Sequence, residues 1–202
     1  MPPKTKRRTQ EERSAETRRR LLNATIDLLI ERGYARLTTA DIAKRAGVSN
    51  GARVHHFRTK EDLVVAANKE IYGEAVALGT QRSERASDFR TAIKDCFDDL
   101  VSLYFGRFFL GSLDAVVAAR TDRRLARRIH PVIVDYHAAI RRAWTEAFVA
   151  TGCSRAAAAD TYDVILHTVR GMALTSTRQK DPVPNARLVA NVTHLLAEAS
   201  RR

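Results

Sequence analysis

The sequence predicts an all-α protein of about nine helices, and three features of its pattern support this. Apolar residues recur at helical spacing through most of the chain, as they do between residues 89 and 104. Ser, Thr and Asp stand where helix caps are expected, and Gly and Pro separate the periodic segments. No segment shows a convincing apolar–polar alternation of the kind that marks a half-buried strand.

The predicted helices fall into an N-terminal helix-turn-helix domain of three helices and a C-terminal helical domain. In chain order they cover about residues 10–32, 39–46, 50–56, 60–79, 88–105, 106–121, 122–151, 154–179 and 185–202. Pro131 is expected to break or kink the seventh of these, because proline lacks a backbone donor and clashes with the preceding turn. A turn is expected at residues 181–184, which read Asp-Pro-Val-Pro.

The clearest local pattern lies between Leu37 and Leu63. Thr38 is a good N-cap, and Asp41 three residues later completes the pattern of a capping box. Gly47 is expected to end this short helix, because glycine adopts a positive φ cheaply at a helix C-terminus. Val48 would then point inwards at a sharp turn between two closely crossing helices.

A second short helix follows that turn directly. Ser49 is its expected N-cap, residues 50–56 form the helix, and Phe57 anchors its far end. Thr59 and Asp62 form a further capping box, which starts a longer helix near Lys60. The arrangement is a helix-turn-helix; the alternative is an ordinary corner between helices in an α-protein.

Charge is concentrated near the N-terminus. Residues 1–60 hold 15 Lys and Arg against 6 Asp and Glu, which accounts for +9 of the net +12 of the 202-residue chain. A basic segment that coincides with a helix-turn-helix favours a polyanionic partner, and double-stranded DNA fits better than a membrane surface. Residues 1–9 are expected to form a flexible basic arm, which either enters a minor groove or is a solubilising tail.

Composition narrows the class of protein. The chain is 45% hydrophobic and 29% charged, as in a soluble globular protein. No apolar run approaches the ~20 residues that span a bilayer, and the basic N-terminus lacks the apolar region of a signal peptide. Cys96 and Cys153 are isolated and are expected to be structural thiols, with no metal site and no cofactor. These features predict a cytoplasmic location.

Residues 14–65 resemble the N-terminal domain of TetR-type transcriptional regulators. The resemblance rests on the order and spacing of the apolar first helix, Gly33-Tyr34, Leu37-Thr38-Thr39, Asp41-Ile42-Ala43, Ala46-Gly47-Val48-Ser49, Gly51, His55-His56-Phe57, Lys60 and Leu63. It implies a DNA-binding domain at residues 10–65 and a helical domain for effector binding and dimerisation at 66–202. It also implies a homodimer, most often a repressor, that a small-molecule effector releases from a palindromic operator.

Matching the family's motif onto this chain gives a set of expected DNA contacts. They are Thr38, Thr39, Ser49, Asn50, Gly51, Ala52, Arg53, His55, His56 and Lys60. Lys60 would meet a phosphate with the help of the helix dipole. For Thr38 and Ser49 the alternative is a role as helix caps alone, and for His55 and His56 it is simple exposure.

Two positions depart from the family pattern. Members usually carry an aliphatic residue followed by a tyrosine where this chain has Arg53 and Val54. That tyrosine commonly touches a phosphate, so Val54 has lost the hydroxyl. Two hypotheses follow for Arg53: it supplies a replacement charge to the phosphate, or it reads a base.

The C-terminal domain carries two further sets of candidate residues. Aromatic residues concentrated in the middle of the chain, with one histidine, suggest an effector pocket, although each of them also fits an ordinary core position: Tyr104, Phe105, Phe108, Phe109, Tyr136, His137, Trp144 and Phe148. Apolar stripes on the last two helices suggest a dimer interface, and in a monomer they would face the core: Val164, Ile165, Thr168, Met172, Leu188, Val192, Leu195 and Leu196.

Two other classes of function fit the sequence less well. A non-specific basic nucleoid or architectural protein would also carry this charge, but it would have no use for a defined recognition helix. An enzyme is disfavoured, because none of the local motifs for nucleophiles, phosphate loops, dinucleotides or zinc is present.

Overall fold

The computed structural model describes residues 9–106, 108–177, 179 and 183–199, and within these ranges it contains nine α-helices and no strand. The helices are α1 (Gln10–Arg36), α2 (Thr39–Ala46), α3 (Asn50–His56), α4 (Lys60–Ser83), α5 (Phe89–Tyr104), α6 (Phe108–Ala118), α7 (Arg123–Ala150), α8 (Arg155–Thr175) and α9 (Ala186–Ala199). The all-α prediction is therefore confirmed. The basic arm, apart from Thr9, and the first half of the turn at 181–184 lie outside the described residues.

Several helix ends differ from the prediction. The first helix is continued to Arg36 across Gly33, whose φ of 73° and ψ of 168° are not helical. α4 extends to Ser83, and α8 ends earlier than expected, at Thr175. α7 continues through Pro131 instead of breaking there, because a single missing ladder bond does not outweigh the packing of a 28-residue helix.

The chain forms two compact units. The first contains residues 9–69 and 111–129, and the second contains the described residues of 70–110 and 130–199. The first unit therefore includes a segment, 111–129, that the sequence prediction placed with the C-terminal domain. The functional division at residue 65 stays a prediction.

The first unit has a core of aliphatic side chains. Its largest fully buried members are Leu21, Leu22, Leu28, Leu29, Ile42 and Leu63. A polar link ties α4 to α6 inside this unit, because Ser112 donates to the buried Asn68 at 2.8 Å. Tyr34 is held on two sides: its backbone N–H donates to Asp114, and its carbonyl accepts from Lys60 at 3.1 Å.

The second unit is built around aromatic side chains. Phe97, Trp144, Phe148 and Tyr162, from α5, α7 and α8, are at most 1% exposed. Within this unit α5 packs against both α8 and α9. Cys96 is buried among them, as expected of a structural thiol, and its burial raises the pKa of the thiol well above its usual value.

Candidate nucleic-acid interface

The turn between α2 and α3 has the predicted geometry. Gly47 lies in the left-handed region with φ 62° and ψ 41°, and the N–H of Val48 donates to the carbonyl of Ala43 at 3.0 Å. Together with a bond from the N–H of Gly47 to the carbonyl of Lys44 at 3.1 Å, this bond satisfies carbonyls at the end of α2 that have no partner within the helix. Arg20 of α1 donates to the Gly47 carbonyl at 3.1 Å, which ties the turn to the first helix.

The three predicted N-caps are all present. The Thr38 hydroxyl accepts from the N–H of Asp41 at 3.1 Å, and the Ser49 hydroxyl accepts from the N–H of Ala52 at 3.1 Å. Thr59 and Asp62 form the complete box, with each residue's side chain accepting from the other's backbone N–H. At Thr38 the box is incomplete, because the Asp41 carboxylate accepts from the Thr38 hydroxyl at 2.7 Å instead of from its N–H.

The solvent-facing surface of α3 is small and polar. Asn50, Gly51, Val54 and His55 are exposed, Ala52 and His56 are half-buried, and Ser49 just before the helix is exposed. His55 and His56 stand at adjacent positions with their rings 5.2 Å apart. Burial, followed by the neighbouring His55 and Arg18, lowers the pKa of His56, which favours its neutral form.

Arg53 does not share this exposure. It is only 6% exposed, although it belongs to the same short helix. Its guanidinium donates to the carbonyls of Phe57 at 3.0 Å and Arg58 at 2.9 Å, and to Asn50 Oδ1 at 2.6 Å. No local pattern predicts this burial, since it depends on three acceptors that only the folded turn brings together. The next residue, Val54, is 42% exposed.

The remaining expected contacts lie around α2 and the start of α4. Thr38 is exposed, and Thr39 and Lys60 are half-buried. The ammonium of Lys60 lies 4.1 Å from the centroid of the Tyr34 ring and donates to the Tyr34 carbonyl, so it already has partners within the protein. A phosphate contact by Lys60 would have to share or replace these bonds.

Exposed cations surround the helix-turn-helix on other elements. Arg18, Arg19 and Arg20 lie on α1, Lys44 lies on α2, and Arg58 follows α3; all five are exposed. Exposed Arg and Lys near a projecting helix attract phosphates without reading sequence.

Comparison with known proteins identifies the group to which this helix-turn-helix belongs. Residues 21–67 match the family described as bacterial regulatory proteins, tetR family. The HTH-type transcriptional regulator CymR of Pseudomonas putida is 35% identical over 176 residues, which is 87% of each chain. The chain belongs to the tetR family. It is a DNA-binding transcriptional regulator, and the architectural alternative is not supported.

Other relatives agree with this assignment. The HTH-type transcriptional regulator Rv2912c of Mycobacterium tuberculosis is 38% identical over 136 residues, covering 67% of this regulator and 70% of that protein. Among solved structures, Salmonella enterica GusR has the same fold, with a TM-score of 0.69 and 16% identity over 98% of this chain and 100% of that one. The Mycobacterium tuberculosis relative is a transcriptional regulator by name, and GusR shows that the fold is shared.

The predicted effector residues are mostly packed in the second unit. Tyr104, Phe108, Tyr136, Trp144 and Phe148 are buried, whereas Phe105, Phe109 and His137 are half-buried. The sequence prediction missed two aromatic members of the same cluster. Tyr72 stacks on Tyr136 with ring centroids 4.7 Å apart, and Tyr162 is fully buried.

Two polar atoms in this aromatic cluster lack partners. The Tyr162 hydroxyl and His137 Nδ1 are buried and make no hydrogen bond to any residue that the structure describes. Burial, followed by the charges of Arg170 and His167, lowers the pKa of His137 to about 4, so its imidazole is neutral near pH 7. Neutral His and Tyr side chains can each donate or accept one further hydrogen bond.

The predicted dimer residues divide into two groups. Ile165 and Met172 are buried in the chain's own core, and Thr168, Val192 and Leu196 are half-buried. Val164, Leu188 and Leu195 are 44%, 39% and 66% exposed. Only this second group offers substantial apolar surface to another molecule.

The described residues also bear on two other kinds of site, metal sites and membrane spans. No group of three or more His, Cys, Asp and Glu side chains there could hold a metal ion. No single helix of the described ranges is long and apolar enough to cross a membrane. The helices α5 and α6 reach such a length and apolar content only when they are taken together as one bent pair.

Proposed function

We propose that this regulator acts as a homodimeric repressor, which places α3 of each subunit in the major groove of a palindromic operator. The observation that carries the proposal is the helix-turn-helix itself, with its three N-caps and its left-handed Gly47. One α3 offers few side chains to base edges, so a single subunit would read a short sequence. A two-fold dimer reads two half-sites about 34–36 Å apart, which gives the required specificity.

The exposed apolar residues of α8 and α9 are the proposed contact between subunits. Val164, Leu188 and Leu195 would be covered by the same residues of a second copy, as a two-fold interface requires. Leu195→Glu places a charge at a position that is 66% exposed, so the subunit fold should survive. We expect sedimentation to show a monomer and operator affinity to fall at least tenfold, on the order expected when one half-site is lost.

Val134→Glu is the matched control for that experiment. Val134 is 62% exposed on α7 of the same unit, and a charge there should leave the dimer intact. If Leu195→Glu sediments as a dimer with unaltered operator binding, the proposed interface is wrong.

The proposed effector site is the aromatic cluster of the second unit. Tyr104, Tyr136 and Phe109 would supply apolar contacts, and the unpartnered Tyr162 hydroxyl and His137 Nδ1 would orient a polar group of the ligand. B. subtilis FadR, which has this fold with a TM-score of 0.62 at 21% identity over 88% of this chain and 96% of that one, was solved with stearoyl-CoA. That precedent supports a ligand-responsive helical domain in this regulator.

An effector would act by preferring the conformation that does not match the operator. To shift occupancy substantially, it must bind the two conformations with different affinities. A panel of small apolar compounds, each with and without one hydrogen-bonding group, can be screened by melting temperature. Compounds that raise it should do so less for Tyr162→Phe, and should release the operator from the native protein.

The first test of the whole proposal is a selection of bound genomic fragments with purified protein. An enriched palindrome supports a sequence-specific dimer, and the genes beside it indicate what is regulated. Uniform enrichment without any motif would overturn the proposal.

A further inference from the structure

The side chain of Arg53 joins the two ends of the recognition helix. Its Nη2 donates to Asn50 Oδ1 at 2.6 Å, and its Nη1 donates to the carbonyls of Phe57 and Arg58 at 3.0 and 2.9 Å. Asn50 is the first residue of α3, and Phe57 and Arg58 follow its last turn. The guanidinium of Arg53 therefore links the first residue of this seven-residue helix to the two residues that follow it.

Burying this guanidinium costs free energy of folding, so stability alone does not explain an arginine at this position. Arg53 is 6% exposed, and its Nε is buried without a hydrogen-bond partner in the described part of the chain. A buried guanidinium with one N–H unsatisfied gives up hydration that it does not fully recover. An aliphatic residue at this position would avoid that cost, so the arginine is best explained by its effect on the exposed side of the helix.

The bond from Arg53 fixes the orientation of the Asn50 amide. A guanidinium has donors only, so the Asn50 atom that faces it must be the amide oxygen. The amide nitrogen of Asn50 is then the group left for another partner, and Asn50 is exposed. Arg53 thus orients the Asn50 amide so that its NH₂ group, and not its oxygen, is left for a partner outside the protein.

Bases differ in what they offer to such a group. An asparagine that reads adenine uses both halves of its amide, accepting from N6 and donating to N7. Guanine presents only acceptors, N7 and O6, on its major-groove edge. An asparagine whose oxygen is engaged by an arginine keeps both N–H donors for the two guanine acceptors. It can offer adenine N6 only the second lone pair of that oxygen, with the amide plane already set by the arginine.

We propose that Arg53 is a positioning residue that does not itself touch DNA, and that it orients Asn50 to donate to guanine in each half-site. This inference builds on the DNA-binding role of α3 and adds a base preference and the residue that sets it. It replaces both earlier hypotheses for Arg53, the phosphate contact and the direct reading of a base.

The test compares motifs selected from a randomised duplex library by the full-length protein and its variants. In the native protein, one position of each half-site should be guanine and should lose its preference in Asn50→Ala. Arg53→Met should relax that same position towards adenine, on the order of tenfold, and leave the other positions unaltered. Arg53→Lys should behave like Arg53→Met, because one ammonium cannot hold three separated acceptors in the fork geometry of arginine.

Asn50→Asp keeps the inference testable if the Arg53 variants do not fold. The aspartate can still accept from Arg53, but it presents an acceptor to the base in place of the NH₂ group. We expect the selected base at that position to change from guanine to cytosine, which offers its N4 donor. Melting curves of each variant show whether the fold is retained.

Three results would overturn the inference. An adenine at the Asn50-dependent position of the native motif would show that the amide oxygen serves the base despite its bond to Arg53. A uniform loss of affinity in Arg53→Met, with a salt slope lower by about one and restored by Arg53→Lys, would assign Arg53 to a phosphate. A change in Arg53→Met at a position that Asn50→Ala leaves alone would mean that Arg53 reads a base. A native protein that selects no motif would instead refute the regulator function itself.

Discussion

Asp99 is a buried carboxylate whose removal should destabilise the second unit strongly. It is 6% exposed and accepts from Trp144 Nε1 at 3.0 Å and from Arg82 Nη1 at 2.8 Å. Burial nevertheless raises the pKa of Asp99, which indicates that its two donors do not fully replace water. The side chain joins α4, α5 and α7 within one unit.

The loss of stability expected for Asp99→Ala is the sum of the costs of losing its bonds to Trp144 and Arg82. Trp144 is 0% exposed, so its indole N–H would be left buried and unpaired, at a cost of ~1–3 kcal/mol. The Arg82 side chain is 40% exposed and can turn to water, so its lost ion pair adds at most about 1 kcal/mol. We therefore expect the free energy of unfolding to fall by roughly 1–4 kcal/mol.

Trp144 also provides the assay, since it is the only tryptophan in the chain. Its fluorescence during urea unfolding reports on the second unit directly, and the midpoint and slope give the free energy. Asp98→Ala is the matched control: Asp98 is the next residue back on α5, and its ion pair with Lys94 is exposed on both sides. The control should change the free energy of unfolding by less than about 0.5 kcal/mol.

A loss below about 1 kcal/mol in Asp99→Ala would refute this reasoning, because it would mean that the buried indole N–H finds another partner at no cost. Trp144→Phe separates the contributions. If the hydrogen bond carries the effect, Asp99→Ala should cost much less in the Trp144→Phe background than in the native protein, with unfolding then followed by circular dichroism.

Three further predictions concern single residues. Burial lowers the pKa of His137 to about 4, so the stability it contributes should be complete above pH 6.5 and be lost as the pH falls towards 4. Urea unfolding at pH 7 and pH 4.5 should differ by about 1–2 kcal/mol more in the native protein than in His137→Gln, and equal differences would contradict this. Gly47→Ala should cost about 1–2 kcal/mol through its positive φ and should weaken operator binding, which a melting curve and a gel-shift titration would measure. Gly73→Ala is its opposite case: a methyl group there meets nothing within 4 Å on an exposed face of α4, so it should stabilise by ~0.5–1 kcal/mol, and a lower melting temperature would contradict that.

The helix-turn-helix could be predicted from the sequence because its signals are local. Thr38, Ser49 and Thr59 each cap a helix within three residues of themselves, and Gly47 supplies the one backbone conformation that the turn requires. Each signal depends on a few neighbouring residues and hardly at all on the rest of the chain. The bounds of α3 were accordingly predicted without error.

Features that depend on distant parts of the chain could not be read in this way. The segment 111–129 belongs to the first compact unit, where Asp114 accepts from the N–H of Tyr34. No pattern around Asp114 or around Tyr34 predicts that these two residues meet. The aromatic residues of the middle of the chain likewise fitted both an effector pocket and an ordinary core from their sequence positions. Helical spacing could not tell that Trp144 and Phe148 would be completely buried while Phe109 stays half-buried.

The two departures at Arg53 and Val54 together change how this regulator must divide its contacts with DNA. Arg53 is the only Lys or Arg in α3, and it is buried, so the exposed surface of this helix carries no permanently charged cation. Attraction to phosphates must then come from neighbouring elements, such as the α1 arginines and Arg58. If α3 enters the major groove as proposed, base reading falls to groups such as the His55 ring, the Asn50 amide and the Val54 methyls. The amide suits a donor contact to guanine, and the methyls suit an apolar contact to a thymine methyl. Affinity and specificity should therefore respond to different substitutions: those on α1 should alter the salt slope, and those on α3 should alter the selected sequence.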